Sequence, residues 1–288
     1  MAPITSLDHL VLFLPQSPGS SKPLLPSFCP EHFTLFPGGS HTDNLTANTL
    51  ILLQDGCYLE LVCFLPSPAN AEGIENHWWG PDAKRKGWTD WCLTSLSAEQ
   101  NYARLESSGK ETHEKPVYGE RKRLDGQDVK WSVTFPVGGQ AGRGKVPFFC
   151  HDVTDRELRV PIDKENTKHP SGVVGVKELN IIVKDMETLE DLHKTYETAL
   201  GVQGVREGDK IEFVVGRVHA VDGLKHGRRI VLRLAQNGEE TGKVQERGFW
   251  YGDVVLSVPV EEGKEAGTRR RVDDLTDNVG GLWIEYVQ

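Results

Sequence analysis

Hydrophobic and polar positions alternate through four segments of similar pattern: LDHLVLFLP (7–15), TDWCLTSLS (89–97), VKELNIIVKD (176–185) and YGDVVLSVPV (251–260). Period-two alternation predicts strands. Aligning their apolar residues places His9, Trp91, Glu178 and Asp253 in one register, with separations of 82, 87 and 75 residues that suggest a repeated unit. After the second segment, SAEQNYARLESSG predicts a helix with Ser97 as N-cap, Tyr102 and Leu105 on one face and Gly109 as the stop. After the third, Met186, Leu189, Leu192, Tyr196 and Leu200 recur at helical spacing between Asp185 and Gly201. Behind the first, the Pro- and Ser-rich SPGSSKPLLPSFCP leaves room for only a short helical turn. Further strands are predicted in HFTLFPG, NTLILLQDG and CYLELVCFL, then in VKWSVTFP and KVPFFCHDV, with KPVYGERKR as a candidate before them. KIEFVVGRVHAV, RRIVLRLAQ and GLWIEYV follow. Each unit therefore reads as βαβββ, the fourth lacking a helix and its middle strands.

One such unit cannot cover both faces of its sheet. The pattern thus predicts an α+β protein of tandem βαβββ modules paired around a shared central cleft, where a ligand site would lie. The proline-bearing, charged stretch at 153–172 is the candidate linker. It divides the chain into residues 1–172, holding two modules, and residues 173–288, a second half with an abbreviated last module. The stretch DGCYLELVCFL poses a chemical question: Tyr58, Glu60, Val62 and Phe64 share a face that reads as buried. A buried carboxylate without a partner would cost several kcal/mol, about as much as a fold can spare, so something must face Glu60.

Composition narrows the function classes. The chain has 288 residues, 38% hydrophobic and 26% charged, which is ordinary globular usage. No apolar run approaches the ~18 residues of a spanning helix, and the first residues lack the basic stretch of a signal peptide, so no membrane association and a cytoplasmic location are expected. A net charge of −9 argues against nucleic acid. The basic clusters GERKRLDG (119–126) and TRRRV (268–272) have acidic neighbours and read as solvated loops. Five cysteines without CxxC or zinc-finger spacing suit small core residues in a reducing compartment.

A βαβββ repeat opening on DHLVLFLP and ending in YLELVCF resembles the vicinal oxygen chelate superfamily, the glyoxalase, bleomycin-resistance and extradiol-dioxygenase group. The resemblance is strongest to its glyoxalase-like domain family, and it implies that the modules form half-barrel sheets around a central cleft. It is carried by seven elements that keep their order over about residues 4–185: GGSH (38–41), TAN (46–48), YLEL (58–61), WTDWCLTS (88–95), VTFP (133–136), VPFF (146–149) and HPSG (169–172).

In metal-using members of that superfamily, ligands come from the first and last strands of each unit. The resemblance thereby implies His9 and Glu60 as catalytic residues, joined either through a divalent metal (Zn, Fe, Mn or Ni) or as a metal-free polar pair. The second unit carries Trp91 where a second ligand His would stand, and His151 is the candidate third metal ligand. His41, Asn48, Trp91, Trp131 and His169 are expected to bind substrate. The implied function is a glyoxalase-like enzyme, of isomerase, lyase or hydrolase type, acting on a small oxygenated metabolite. The alternative is a metal-independent protein that binds or sequesters a small molecule in the same fold. Either would be a monomer or a homodimer.

Overall fold

The computed structural model describes residues 4–80, 87–123, 126–141, 143–222, 224, 227–260, 263–274 and 280–288. The first module comprises β1 (Ser6–Phe13), α1 (Phe28–His32), β2 (Phe36–Ser40), β3 (Thr46–Leu52) and β4 (Tyr58–Phe64). After α2 (Ala71–Asn76), the second comprises β5 (Gly87–Thr94), α3 (Ala98–Ser107), β6 (Val117–Lys122), β7 (Asp128–Thr134) and β8 (Phe148–Asp152). Among the described residues these modules form one curled, eight-stranded sheet of order β2-β3-β4-β1-β5-β8-β7-β6. β1 runs parallel to β4 and antiparallel to β5, so the two modules join through their first strands.

A short helix, α4 (Arg156–Arg159), precedes the second half. There β9 (Gly175–Val183), α5 (Met186–Leu200), β10 (Val205–Glu207), β11 (Lys210–Val215) and β12 (Arg228–Leu234) form the third module. Beyond it lie α6 (Gly238–Arg247), β13 (Phe249–Pro259), β14 (Arg269–Arg271) and β15 (Leu282–Val287). The second sheet, of seven described strands, has the order β10-β11-β12-β9-β13-β15-β14. The architecture is the α+β fold of tandem βαβββ modules that the hydrophobic pattern predicts, arranged in the half-barrels that the resemblance implies. Among the described residues, no helix is long and apolar enough to cross a membrane.

Local signals account for the main helices. The Ser97 hydroxyl accepts from the Gln100 amide at the start of α3, and the Asp185 carboxylate from that of Thr188 at the start of α5. Helix α5 ends at Gly201, whose φ of 66° suits a residue without Cβ. Helix α6 is absent from the sequence expectation because Val244 is its one buried apolar side chain among those described. Its caps, Asn237 accepting from the Glu240 amide and Gly248 at φ 79°, were nevertheless legible.

Each face of the first sheet has its own packing. Leu7, Leu10, Leu59, Leu61, Trp91 and Phe149 join the main core together with α5 and the second sheet. On the other face Val11, Phe13, Val62, Phe64, Cys92, Phe148 and Cys150 form a smaller cluster. The alternation in YLELVCF is thus realised, with Glu60 on the face of the smaller cluster. At the seam between the sheets, Arg228 of β12 and Asp55 of the β3–β4 turn form an ion pair in which neither side chain is exposed.

Two readings of basic clusters as solvated loops are corrected. Within GERKRLDG, residues up to Lys122 form edge strand β6. Within TRRRV, Arg269–Arg271 form β14, where Arg269 Nε donates to Glu285 Oε2 at 2.6 Å. Glu178 and Glu285, the echoes of His9 and Glu60 in the second half, are thereby bound up in a cation network: Lys177 and Arg269 on Glu285, Arg229 and Arg269 on Glu178.

Candidate functional site

The hollow of the first half-barrel is a cavity of about 280 Å³. Glu60 projects into it from β4, between Val11 of β1 and Leu50 of β3 in register. His9 of β1 lies opposite Tyr58, one diagonal step away on the same face. His9 Nε2 stands 3.6 Å from Glu60 Oε2, and His41 Nε2 stands 3.7 Å from Glu60 Oε1. Asn48 Nδ2 donates to Glu60 Oε1 at 2.6 Å. The carboxylate that the alternation buries is therefore faced by two imidazoles and an amide. His41 arrives there because residues 41–45 form the tight turn between β2 and β3, with Asn44 at φ 56° and the Asp43 carboxylate accepting from the Leu45 amide.

The other ring nitrogens are occupied. His9 Nδ1 lies 2.6 Å from Asp8 Oδ1, and His41 Nδ1 lies 2.6 Å from Thr46 Oγ1. Burial would raise the Asp8 carboxyl, but Arg156 and Arg159, with His9, outweigh it and hold the group well below the usual carboxylate range. An ionised Asp8 only accepts, so His9 Nδ1 carries a proton and a neutral His9 turns the lone pair of Nε2 toward Glu60. The His9 ring is further held by stacking on Tyr58 at 4.6 Å and by the edge of Phe148 at 5.3 Å.

Aromatic side chains of Trp78, Trp79, Trp131, Phe135 and Phe148 line much of the remaining wall. Two of them are tied from below: Asp90 Oδ2 accepts from the indole N–H of Trp78 at 2.9 Å and of Trp79 at 3.0 Å. Burial pushes the Asp90 carboxyl up to about 6 against the opposing pull of these donors. Since the folded state holds this proton more tightly than the unfolded chain does, charging Asp90 opposes folding as pH rises from about 4 to about 6. Scanning calorimetry at about pH 5 and pH 7.5 should therefore show wild type losing stability relative to Asp90→Asn on going to the higher pH, by about 1.4 kcal/mol. A difference constant across that window would refute the assignment.

The fold brings together His9, His41, Asn48, Glu60 and Trp131 around the cavity, and places three other expected residues elsewhere. Trp91 is fully buried in the main core, 5.5 Å from the Tyr196 ring. Its alignment with His9 is off by one pleat: His9 is paired with Cys92 and Val11 with Asp90, while Trp91 opposes Leu10 on the other face. β-Bulges between Leu7 and His9 and between Val11 and Leu12 shift the pairing, and one residue of slip reverses every side chain. Asp90, not Trp91, is on the cavity side. His151 likewise alternates with Cys150: its ring stacks on Phe149 and its Nε2 lies 2.8 Å from Ser95 Oγ, away from Glu60. His169 bridges backbone, with Nε2 donating to the Leu52 carbonyl at 2.9 Å and Nδ1 accepting from the Thr34 amide at 3.1 Å.

Residues that the sequence reading passed over also line the cavity, among them Tyr58, Trp79, Arg121 and Arg159. For Arg121, the candidate strand KPVYGERKR was the available signal. Asp8, His9 and Cys92 offer ligand atoms within 4.8 Å of one another, but Asp8 is already saturated by two arginines and burial pushes the Cys92 thiol well up, so this trio is poorly suited to a cation.

A half-barrel of two βαβββ modules joined by their first strands, with imidazoles and a carboxylate in its hollow, defines a protein of the vicinal oxygen chelate superfamily. Within it the chain belongs to the glyoxalase-like domain family, whose sequence profile matches residues 7–208. No curated protein matches the sequence. Among solved structures, a hypothetical protein from Staphylococcus aureus is similar at 14% identity, with a TM-score of 0.71 over 99% of this chain and 100% of that one, a likeness of fold alone. An extradiol ring-cleaving dioxygenase from B. fuscum gives a TM-score of 0.45 at 11% identity, covering 99% of this chain and 72% of that one. A mutant 4-hydroxymandelate synthase from Streptomyces coelicolor gives 0.47 at 10% identity, covering 90% and 72%.

Proposed function

We propose that the chain is an enzyme acting on a small oxygenated metabolite in the first half-barrel, with His9, His41 and Glu60 as holders of one divalent cation. A single observation carries this reading: both Nε2 atoms flank the Glu60 carboxylate at 3.6 and 3.7 Å, while both Nδ1 atoms are engaged by Asp8 and Thr46. Imidazoles whose second nitrogen is held by an oxygen partner are oriented as ligands are, and two His with one carboxylate suit Fe(II), Zn, Mn or Ni. His41 thus takes the place expected of His151. When bound, the cation would polarise a substrate oxygen and stabilise negative charge developing on it.

The protein's own groups supply the rest. The carboxylate of Glu60 is the proton acceptor, buried at the cavity wall and fixed at Oε1 by Asn48. A carbonyl or hydroxyl of the substrate faces the imidazoles, and the aromatic wall excludes water from the reacting carbon. A glycine at 38 makes room for the Asn48 amide, since a Cβ there would fall 1.8 Å from Asn48 Oδ1.

Titration of untagged protein with Co²⁺, followed by visible absorption, should give one site per chain. His41→Ala should weaken that site by at least about tenfold and His151→Ala should leave it unchanged. The cation reading fails if wild type binds no Co²⁺, or if the two variants behave alike. Product detection by mass spectrometry over a metabolite library then separates turnover from sequestration: ligands that stabilise the protein yet emerge unchanged would overturn the enzymatic reading.

A further inference from the structure

Arg121 is a charged group of the cavity lining that the chemistry above leaves without a task. It belongs to β6, the edge strand of the second module, at the opposite end of the sheet from β2. The curl of the sheet brings these edges together: Arg121 Nη1 donates to the Gly38 carbonyl at 3.2 Å, and the Thr42 hydroxyl to the Glu120 carbonyl at 2.6 Å. Residues 38 and 39 are glycines, and even a Cβ on Gly39 would only touch the Arg121 guanidinium, at 3.8 Å.

The charge balance there is uneven. Arg159, the second arginine of the lining, is neutralised by Asp8 and Asp152. Of the two carboxylates in the lining, Asp43 lies 3.9 Å from His77 Nε2, and Glu60 is faced by two imidazoles and acts on Arg121 only through space. Arg121 is half-buried at the cavity wall, forms no ion pair among the described residues, and has one hydrogen bond, to a neutral carbonyl. Burial lowers its proton affinity, the response of a cation deprived of water. A planar guanidinium with free N–H groups in a cavity is matched by a carboxylate, which accepts two parallel hydrogen bonds from it.

From this geometry we infer that Arg121 anchors the carboxylate of the substrate, and that the substrates are small organic monoanions: a carboxylate at the β6 edge, an oxygen function at the His9–His41–Glu60 cluster, and an apolar, aromatic-sized body against Trp79, Trp131 and Phe148. The inference rests on the proposed reading of the hollow as a ligand site and adds the charge and shape of what enters it. The acidic chain repels anions at long range, so their selection falls to local positive charge in the cavity, of which Arg121 is the guanidinium left to pair with a carboxylate.

Two probes of nearly equal shape test it: 3-phenyllactate, and 3-phenylpropane-1,2-diol, in which an uncharged alcohol replaces the carboxylate. Calorimetric titration of wild type should show the acid binding at least about tenfold more tightly than the diol, as expected of a charge-assisted pair. Arg121→Gln should abolish that preference and leave diol affinity within about twofold of wild type; its melting temperature serves as the check on folding. Equal binding of the two probes by wild type, or a preference that survives in Arg121→Gln, overturns the anchor while leaving the ligand site standing. Failure of both probes to bind wild type at millimolar concentration overturns the substrate class, and the Co²⁺ titration reports independently whether the site itself falls with it.

Discussion

Asp55→Asn should lower stability by about 3–5 kcal/mol, seen as a drop in the urea midpoint followed by tryptophan fluorescence. The reason is an arginine left buried without its counter-charge. Asp55 Oδ2 accepts from Arg228 Nε at 3.0 Å and from the Val176 amide at 2.9 Å, while Oδ1 accepts from the Cys57 amide at 3.1 Å. Arg228 in turn donates to the carbonyls of Leu7 and Asp55 at 2.8 and 3.0 Å. One pair thus ties a turn of the first sheet to the opening residues of β9 and β12 in the second. An Asn side chain keeps the shape but removes the charge and turns an amide group toward one set of donors. In a double-mutant cycle with Arg228→Met, the second substitution should cost much less in the Asp55→Asn background than in wild type. Full additivity would show that the pair does not act as a unit.

Asp8→Asn has a comparable expected cost, about 3–5 kcal/mol, and a second consequence in the cavity. Asp8 is fully buried beneath His9 and receives Arg156 Nη1 at 2.6 Å and both terminal nitrogens of Arg159 at 3.1 Å. Those arginines come from α4, in the stretch read from sequence as a linker; its helix is packed against β1 through these pairs. Because the Asp8 carboxyl is held far below its unfolded value of about 4, its contribution is fully present above pH 4 and is lost as pH falls through the folded value. Wild type should therefore show an acid-unfolding limb below about pH 4 that is weaker in Asp8→Asn. The variant should also bind Co²⁺ about 10–100-fold less tightly, since His9 loses the anionic partner that orients it. Unchanged Co²⁺ affinity in a folded variant would detach Asp8 from the site.

Much of the fold was legible because its determinants are local. Period-two alternation located most of the strands, and Ser97, Asp185 and Gly201 marked helix ends that the structure places within a residue or two. Where the reading failed, the deciding interaction was distant. Trp91 was assigned to the cavity by aligning repeats, whereas two bulges in β1–β5 pairing decide which of Asp90 and Trp91 faces it. His151 and Cys150 are adjacent in sequence and lie on opposite faces, and nothing in KVPFFCHDV says which face is the hollow. For Arg121 the sequence offered both a strand, in KPVYGERKR, and a charged loop, in GERKRLDG, because its partner in space, the Gly38 carbonyl, is 83 positions away and belongs to the other module.

By itself the sequence determined the repeated βαβββ pattern and the burial of Glu60, because alternation along a strand is a property of consecutive residues, while the company of His9 was implied by the family resemblance. Only the tertiary structure decided that His41 completes the group, that Trp91, His151 and His169 stand outside it, and that Arg121 closes the far wall. Those outcomes depend on sheet register and curl, which are set by pairing between strands far apart in the chain.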